Sequence, residues 1–500
     1  MSSSTYPNAM KKNHFKFLLT LCVVALATQV IGPSSSLHAQ GIDHSIPTNP
    51  PPPTLIINGA KQYQTIDGFG FSEAFGPADQ LRTVSSTRDR TKILDLLFNT
   101  SIGAGFSILR NLLPSDAAHT IEPNNPGGPT ATPQYVWDHN SWGQIWLAKQ
   151  AQHYGVKQFY IDSWSAPSFM KTNGDEANGG TLCGAPGTSD TPVVSCSTGD
   201  WRQAYANYLV QYIKDYKSDG ISITHIGFVN EPNLKISYSS MVMTAPQMAD
   251  FAKVLGTTLR ASSFHPQVVC CEAQGWDLAQ NYTNAITSDP TVNGYVGVIS
   301  SHGYTGFPTF TLTGTGQKHI WQTEWSTFDA WDPSWDDGSN DSGFTWAQRA
   351  YTGLTAANLS AFFYWWGLAN STDNQGLILY KNNAIETSKR LWALANYSRF
   401  VRPRAIRIGT TSSNSNLQLT AFKNTNGSIS IIVLNTSKSD TPVTFSLQNT
   451  GITQDYVATP YITNALHNTA AQAQLSIQNQ TFSATVPARS LVTYQVTPVH

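Results

Sequence analysis

Between residues 66 and 400, short apolar segments rich in β-branched and aromatic residues alternate with longer segments of helical periodicity. The short segments predict buried strands and the longer ones predict crossover helices, so their alternation predicts a parallel sheet. The predicted strands lie near residues 66–71, 105–111, 156–163, 223–229, 267–272, 295–301, 319–324 and 361–366. Eight such alternations indicate an α/β fold, a (β/α)8 TIM barrel with long strand-to-helix loops.

Two of the crossover helices are well defined. The segment WRQAYANYLVQYIKDYKSDG, which begins at Trp201, carries apolar residues at roughly helical spacing and ends at Gly220. The segment APQMADFAKVLGTTLR, which begins at Ala245, has Pro at an early helical position. The sixth crossover, rich in Thr and Gly around 309–316, is poorly helical, and this composition favours a loop.

The pattern changes after Pro403. Alternating segments such as LQLTAFKN, SISIIVLN and SLVTYQVTP are separated by Asn, Gly, Ser and Thr turns, which predicts an all-β domain. An independent carbohydrate-binding module is the alternative for this tail, although the connector around 400–405 lacks the composition of a flexible linker.

The amino terminus has the pattern of a secretory signal. Lysines precede the apolar run 17–27, and the tripeptide ending at Ala39 offers a cleavage site, so we predict a signal peptide over 1–39 and a secreted protein. An uncleaved anchor is the alternative. Residues 40–53, which end in four prolines, are predicted to form a Pro-rich linker. We expect no membrane association of the mature protein.

Composition restricts the partners. The net charge is −1 and only 12% of the 500 residues are charged, so no basic stripe argues for nucleic acid. The 14 Trp and 20 Tyr residues are mildly supportive of carbohydrate binding. We expect no nucleic acid as partner, no cofactor, and a monomer.

Of the five cysteines, Cys22 lies in the predicted signal peptide and the other four form two pairs. Cys183 and Cys196 bracket a loop rich in Gly, Pro, Ser and Thr, which predicts a disulfide in an exported protein. Cys270 and Cys271 are adjacent in a strand-like run, where neighbouring side chains point to opposite faces, so we predict buried thiols. No spacing of Cys and His suggests zinc, and no metal is expected.

Two acids stand at the ends of predicted strands, Glu231 in GFVNEPN and Glu324 in IWQTEWS. Acids at the carboxyl ends of barrel strands are placed for chemistry, and a pair of carboxylates is what cleavage of a glycosidic bond requires. The alternative is that each is a solvated loop acid or half of an ion pair. Pro232, which fixes the strand exit, and the large aromatic Trp325 favour a site.

The chain resembles glycoside hydrolase family 30, the retaining β-glycosidases with a (β/α)8 barrel and an attached β-sandwich. The resemblance implies a catalytic barrel over 65–400 and a β-sandwich formed by 54–64 together with 401–500. One NEP tripeptide is a weak signal, but eight matches in order over nearly the whole mature chain are strong. The matching segments are IDGFGFSEAF at 66–75, ILRNLLPSD at 108–116, IDSWSAPSFMKTNG at 161–174, GFVNEPN at 227–233, SSHGYTGFP at 300–308, IWQTEWS at 320–326, FFYWWG at 362–367 and YSRFVRP at 397–403.

The resemblance assigns roles by strand order. Glu231 corresponds to the acid/base and Glu324 to the nucleophile, which implies carboxyl groups ~5 Å apart and retention of configuration. Arg110 corresponds to an arginine beside the nucleophile, and the alternative for it is a structural ion pair, for example with Asp116.

Further residues are implied to bind the sugar. Asn230 resembles the residue that binds the sugar 2-hydroxyl, although a turn-forming Asn is the alternative. His302 and Tyr304 match positions near the nucleophile, or they are satisfied interior residues. Trp164 and Trp366 end the third and eighth strands and would offer faces to the sugar.

Several other residues near these positions were considered. Trp365 is predicted to point away from Trp366 into the core. Glu73 is the main rival for a catalytic role, and the other candidate acids are Glu272, Asp67 and Asp162.

The opening segment GFGFSEAFGPAD resembles the xylan-cleaving branches of the family, so we predict an endo-β-1,4-xylanase whose partner is a polysaccharide, xylan. Dependence on a glucuronic acid branch is left open, because Arg82, the candidate for binding it, is equally a helical surface charge. A β-1,6-glucanase and a glucosylceramidase-like enzyme are alternatives within the family. A non-catalytic secreted glycan-binding protein is the alternative of another class.

Overall fold

The computed structural model describes residues 52–187, 194–369, 371–452 and 455–499. The predicted signal peptide over 1–39 lies outside these residues, as does nearly all of the predicted linker over 40–53. Within the described ranges, no helix is both long enough and apolar enough to cross a membrane.

The larger domain is a closed parallel barrel, and all eight predicted strands are present. Closure is visible in the pairing of β9, which is hydrogen-bonded to the first barrel strand, β2, as well as to the seventh, β8. The prediction of a (β/α)8 barrel is confirmed. The strands are β2 (Gly68–Ser72), β3 (Ile108–Leu113), β4 (Gln158–Ser163), β5 (His225–Ile226), β6 (Gln267–Ala273), β7 (Val296–Ser301), β8 (His319–Gln322) and β9 (Ala361–Ala369).

Apolar side chains fill the inside of the barrel. The strands are nearly continuous hydrophobic runs because helices cover their outer side while inward side chains pack against one another. The inner cluster consists of Ile108, Tyr160, Val269, Val298, Trp321, Ala361 and Phe363.

The crossover helices follow the predicted pattern. The two helices predicted after Trp201 and Ala245 are confirmed, and the second begins with a capping box formed by Thr244 and Gln247. Residues 302–318, all of them described, contain no helix, as predicted for the sixth crossover. The helices are α1 (Pro77–Thr83), α2 (Thr87–Phe98), α3 (Gln144–His153), α4 (Arg202–Ser218), α5 (Ala245–Ala261), α6 (Trp276–Ser288), α7 (Pro290–Tyr295), α8 (Gly343–Thr355) and α9 (Lys389–Ser398).

Outside the barrel, β9 is extended by a hairpin, β10 (Gly376–Lys381) and β11 (Ala384–Thr387). The remaining strands form a second, all-β sheet. They are β1 (Thr54–Thr65), β12 (Ile406–Ser412), β13 (Leu417–Lys423), β14 (Ile429–Asn435), β15 (Thr441–Gln448), β16 (Tyr456–Thr463), β17 (Ala470–Ala471), β18 (Leu475–Ser476), β19 (Thr481–Val486) and β20 (Leu491–Pro498).

The all-β sheet folds over to form a sandwich. Its pairing order is β17-β16-β20-β14-β13-β12-β1-β15-β19, and β1 is antiparallel to β12 and parallel to β15. Phe445 of β15 nevertheless packs on Tyr494 of β20, with ring centroids 4.7 Å apart. Four strands separate β15 from β20 in the sheet, so this contact requires two layers facing each other.

The sandwich is packed directly onto the barrel. Asn396 of α9 accepts a hydrogen bond from the Thr493 hydroxyl at 2.7 Å through its main-chain oxygen. Arg489 of the sandwich pairs with Asp336 of the barrel at 2.6 Å, and Trp335 donates to the Arg489 carbonyl at 2.6 Å. These contacts describe a fixed side domain.

The cysteines follow the sequence prediction in one case only. Cys183 and Cys196 form a disulfide, as predicted. The prediction of two thiols at Cys270 and Cys271 is wrong, because these residues are bonded to each other. The prediction assumed the side-chain alternation of a regular strand, whereas the bond between the two sulfur atoms requires both side chains to lie on the same side of the chain.

We expect the loop disulfide to contribute to stability. Replacing both Cys183 and Cys196 with Ser frees a closed loop with a sequence separation of 13 residues. Loss of a cross-link of this span should lower the free energy of unfolding by about 3 kcal/mol, measured by guanidinium unfolding. Ser195→Ala, in the same loop, is the control, and a double variant as stable as this control would contradict the prediction.

Candidate active site

The predicted site residues meet at one end of the barrel. In a closed parallel barrel the carboxyl ends of all strands lie at the same face, so residues distant in sequence converge there. The structure gathers Arg110 from β3, Asp162 from β4, Glu272 from β6, and residues that directly follow β4, β5, β7 and β8, namely Trp164, Asn230, Glu231, His302, Tyr304 and Glu324.

The two predicted catalytic acids lie close together. A carboxylate oxygen of Glu231, one of Glu324 and a ring nitrogen of His302 are all within 4.8 Å of one another. Each of the two Glu residues is only 5% exposed. This spacing agrees with the roughly 5 Å that characterises retaining glycosidases, in which no water fits between the carboxyl groups.

Glu231 is held in an unusual backbone conformation. Its φ is 46°, in the left-handed region, and its amide donates to the carbonyl of Glu272 at 2.9 Å. Such a conformation persists in a non-glycine residue only where the surroundings fix it, and it often marks a functional site. Here the hydrogen bond to the neighbouring strand β6 fixes the position of the acid.

Arg110 is the centre of the charged network. Its Nη2 donates to Asp162 at 2.7 Å, to Asn230 at 2.7 Å and to Glu272 at 2.9 Å, and its Nη1 donates to Glu324. The guanidinium is fully buried. Burial by itself would lower the pKa of Arg110, but Glu324, Glu272 and Asp162 together raise it.

The structure does not contain the Arg110–Asp116 ion pair that was the alternative for Arg110. Asp116 instead binds the ring of His119 at 2.8 Å. The guanidinium of Arg110 lies over the ring of Trp164, with its carbon 4.6 Å from the ring centroid, so an aromatic face supports the cation from a second side.

Glu272 is a component that the sequence identified only as a rival catalytic acid. It accepts hydrogen bonds from Arg110, from the Thr323 hydroxyl at 2.8 Å and from His302 at 3.1 Å. Burial would raise its pKa, but Arg110 and His302 lower it to about 2. Glu272 is therefore an anion that positions its neighbours. Its place at the end of a barrel strand was the signal available in the sequence.

His302 connects the acids. Its Nδ1 lies 3.2 Å from Glu231 and its Nε2 lies 3.1 Å from Glu272. Burial would lower its pKa, but Glu324, Glu231 and Glu272 raise it to about 10, so the ring is an imidazolium that donates to both acids.

Glu324 has two donors on its carboxylate. The Tyr304 hydroxyl donates to Oε1 at 2.9 Å, while Arg110 donates to Oε2. Burial raises the pKa of Glu324 above its ordinary value, and the charges of His302 and Arg110 offset only part of this effect. The two donors fix the orientation of the carboxylate and favour its ionised form.

An aromatic cluster borders the acids. Phe75, which the sequence analysis did not single out, lies at its centre, with ring centroids 5.4 Å from Trp164, 6.0 Å from Tyr238 and 6.3 Å from Trp142. Trp164 itself is only 2% exposed, so it mainly supports Arg110 and Phe75. Phe75 has a φ of 64°, which turns its ring over the site in a way that no sequence periodicity could indicate.

Trp365 is buried, as predicted, but the prediction that it points away from Trp366 is wrong. The two rings stack, with centroids 5.2 Å apart and an interplanar angle of 22°. The reason is an irregularity in the pairing of β2 with β9, where Tyr364 pairs with Phe71 and Trp366 with Ser72. The extra residue breaks the two-residue alternation. Trp366 is partly exposed, and its indole donates to the Ala74 carbonyl at 3.0 Å.

The rival acids have other surroundings. Glu73 is fully buried and accepts a hydrogen bond from the Leu368 amide at 2.8 Å, and burial raises its pKa. Asp67 binds His319 at 2.6 Å at the opposite end of the barrel. Arg82 pairs with Asp79 at 2.7 Å on helix α1, which corresponds to the helical surface charge considered from the sequence.

Fold and site together define a barrel glycosidase with a closely spaced pair of glutamates. Comparison with known proteins identifies the family. Residues 130–309 match the model of the O-glycosyl hydrolase family 30, and residues 405–494 match the family 30 beta sandwich domain. The chain belongs to glycoside hydrolase family 30.

The relatives differ in specificity. The catalytic domain of a GH30 xylanase C from Talaromyces cellulolyticus is 40% identical, with a TM-score of 0.82 over 89% of this chain and 100% of that structure. A glucuronoxylanase of Bacillus subtilis is 24% identical over 72% of this chain and 78% of its own length. A putative glucosylceramidase of Caenorhabditis elegans is 25% identical over 76% of each chain.

The environments of the acids lead to a prediction about Glu73. Gln at this position keeps the oxygen that accepts a hydrogen bond from the Leu368 amide and removes the buried acid. We expect Glu73→Gln to retain activity within about threefold, whereas Glu231→Gln should lose about 100-fold or more on a substrate with a poor leaving group, because it removes the acid.

The measurement is the initial rate of hydrolysis, with thermal unfolding as a check of folding. Because the raised pKa of Glu73 means that the folded state retains this proton, its contribution to stability falls as pH rises above about 4.5. Glu73→Gln should therefore gain stability relative to the wild type from pH 5 to pH 8. A folded but inactive Glu73→Gln variant would return Glu73 to the list of catalytic residues.

Proposed function

We propose that the protein is a secreted, retaining endo-β-1,4-xylanase that acts by double displacement. The observation that carries the proposal is the pair Glu231 and Glu324, with carboxylate oxygens within 4.8 Å, of which Glu324 is held by Arg110 and Tyr304. This is the geometry of a nucleophile and an acid/base acting on one anomeric carbon.

In the first step, Glu324 attacks the anomeric carbon while Glu231 donates a proton to the leaving oxygen. The bond from the sugar to the leaving group breaks, and an ester between the sugar and Glu324 forms. Tyr304 and Arg110 orient the attacking carboxylate, so little reorganisation is needed at the moment of reaction.

In the second step, Glu231 accepts a proton from water, which attacks the same carbon and releases Glu324. Formation of the ester removes the negative charge of Glu324, a change that favours ionised Glu231 when it must act as a base. The two inversions give net retention of configuration.

Asn230 is oriented for a sugar hydroxyl. Its Oδ1 accepts from Arg110 at 2.7 Å, so the amide orientation is fixed and the Nδ2 side is left to donate. We assign this donor to the 2-hydroxyl of the sugar bound at the cleavage point, a contact that strengthens in the transition state. Trp366, which is partly exposed, is assigned to packing against the same sugar.

The choice of xylan is supported by the Talaromyces relative, described as a xylanase, which is 40% identical over its whole length. The Bacillus glucuronoxylanase adds weaker support. Export is supported by the signal-like amino terminus and by the Cys183–Cys196 disulfide, which is typical of an oxidising compartment.

Chemical rescue tests the assignment of the two glutamates. Glu324→Ala should lose essentially all activity, and azide should restore part of it by attacking from the vacated face, which gives an α-glycosyl azide from a β-linked substrate. Glu231→Ala is the matched control. It still forms the ester with Glu324, so azide attacks from the opposite face and the product is the β-glycosyl azide.

The two products are distinguished by the proton NMR coupling of the anomeric hydrogen, with an activated aryl xyloside as substrate. Products of exchanged configuration would reverse the roles of Glu231 and Glu324. Wild-type rates in both variants would reject the assignment of the two glutamates, whereas absence of hydrolysis by the wild-type protein on every substrate tested would favour a non-catalytic glycan-binding protein.

The products formed from polysaccharides test the substrate class. If the enzyme attacks within β-1,4-xylan, the earliest products should be a series of xylo-oligosaccharides, followed over time by mass spectrometry. Xylose or xylobiose alone from the first minutes would contradict internal attack. Glucuronoxylan, arabinoxylan, β-1,6-glucan and glucosylceramide are tested in parallel. Cleavage of β-1,6-glucan or of glucosylceramide without cleavage of either xylan would overturn the xylanase proposal.

A further inference from the structure

A second polar hollow lies far from the active site, where the barrel meets the sandwich. It has a volume of about 310 Å³, and we call it the junction hollow. It is lined by Thr100, Arg399, Phe400, Arg402, Asn424, Asn426, Ser428 and Gln495. Thr100 follows α2, and both arginines follow α9. Since the crossover helices run back from the catalytic end, the hollow lies at the amino-terminal end of the barrel strands.

The two arginines of the hollow have no acidic partner among the described residues. Arg399 is only 7% exposed, and its Nε donates to the Gly103 carbonyl at 2.7 Å. Arg402 donates through Nη1 to the carbonyls of Gly105 at 2.6 Å and Ser398 at 2.7 Å. These bonds use neutral acceptors, so two positive charges remain uncompensated by any described carboxylate. Burial lowers the pKa of both groups, as expected where no anion stabilises the charge.

Two neutral side chains of the hollow also present hydrogen-bond donors, rather than acceptors, to a ligand. Asn426 uses its Oδ1 to accept from the Ser428 amide at 3.1 Å, and Gln495 uses its Oε1 to accept from the Ser430 hydroxyl at 2.8 Å. Their NH₂ groups form no hydrogen bond within the described part of the chain, and the same is true of Nη2 of Arg399 and of Arg402. Two cations and two amide donors therefore border one hollow.

We propose that the junction hollow is a binding site for an oxyanion, with the carboxylate of a uronic acid as the ligand group. Guanidinium groups match carboxylate and phosphate oxygens in planar hydrogen-bonded geometry, and the amide donors complete such a site. A volume of about 310 Å³ accommodates a single sugar acid. Inorganic phosphate shares the same chemistry and is the other source of the oxyanion. The proposal concerns a place remote from the two catalytic glutamates and does not depend on which polysaccharide they cleave.

A single charge change tests the proposal without disturbing the fold. Asn426→Asp keeps the oxygen that accepts from Ser428 and replaces the free donor with a negative charge. Asn414→Asp is the matched control, because Asn414 accepts from the Asn416 amide in the same way, in the turn at the other end of β13. Gln495→Glu is a second variant of the same design and keeps the acceptor for Ser430.

Binding is measured by titration calorimetry of the full-length protein at low ionic strength with glucuronate, with inorganic phosphate and with xylose as a neutral reference. We expect saturable binding of glucuronate, weakened by about tenfold or more in Asn426→Asp and in Gln495→Glu, because like charges in the site repel the ligand. Asn414→Asp should bind as the wild type does. All three variants should hydrolyse polysaccharide at the wild-type rate, which separates this result from a failure of the proposed catalytic function.

Each other outcome has a defined meaning. Binding of phosphate alone, weakened by the same variants, supports the oxyanion site and identifies phosphate as the source. Binding of xylose equal to that of glucuronate would overturn the proposal, since the charge would then be irrelevant. Absence of saturable binding of either anion, or binding unchanged in Asn426→Asp and Gln495→Glu, would also overturn it and leave the arginines as structural donors to the loop carbonyls.

Discussion

The buried positive charge of Arg110 is the constraint on which the active site depends. A guanidinium removed from water is tolerated only when anions and acceptors surround it, and removing one partner of a buried charge pair typically costs about 3–5 kcal/mol. Here the partners come from three other places on the barrel, Asp162 on β4, Glu272 on β6 and Glu324 after β8. The charge is therefore satisfied only when the barrel is closed, so the fold and the orientation of the nucleophile are established together.

The network also gives different surroundings to acids that look alike in the sequence. Glu272 is held as an anion by Arg110 and His302 and has no access to a substrate, since it is 1% exposed. Glu231 and Glu324 share His302 as a neighbour, and each is 5% exposed. The difference lies in the partners of each carboxylate rather than in its distance from the strand end. A buried acid with strong fixed partners positions other groups, whereas a catalytic acid must be able to change its protonation state.

The barrel could be predicted from the sequence because eight apolar strand-like runs alternate regularly with segments of helical periodicity. The resemblance also placed Glu231, Glu324 and Arg110 at strand ends, and the structure brings them together there, while their roles stay predictions. Prediction from the sequence failed where the local backbone departs from a regular strand. The irregular pairing beside Trp366 turned Trp365 to the same side, and the left-handed conformation of Phe75 placed an unforeseen ring at the site. The bond between Cys270 and Cys271 breaks the same alternation rule. Such features depend on contacts between distant strands, which single-sequence periodicity does not contain.

The arginines at the two ends of the barrel have different kinds of hydrogen-bond acceptors. At the carboxyl ends of the strands, Arg110 is surrounded by carboxylates, so its charge is compensated within the protein and is not available to a ligand. At the other end, Arg399 and Arg402 donate to main-chain carbonyls, which hold the side chains in place without neutralising them. A carbonyl is a dipole and not a counter-ion, so the residual field remains directed at whatever enters the junction hollow. The same side chain is thus an internal support in one place and a potential recognition group in the other, and the identity of its acceptors decides which.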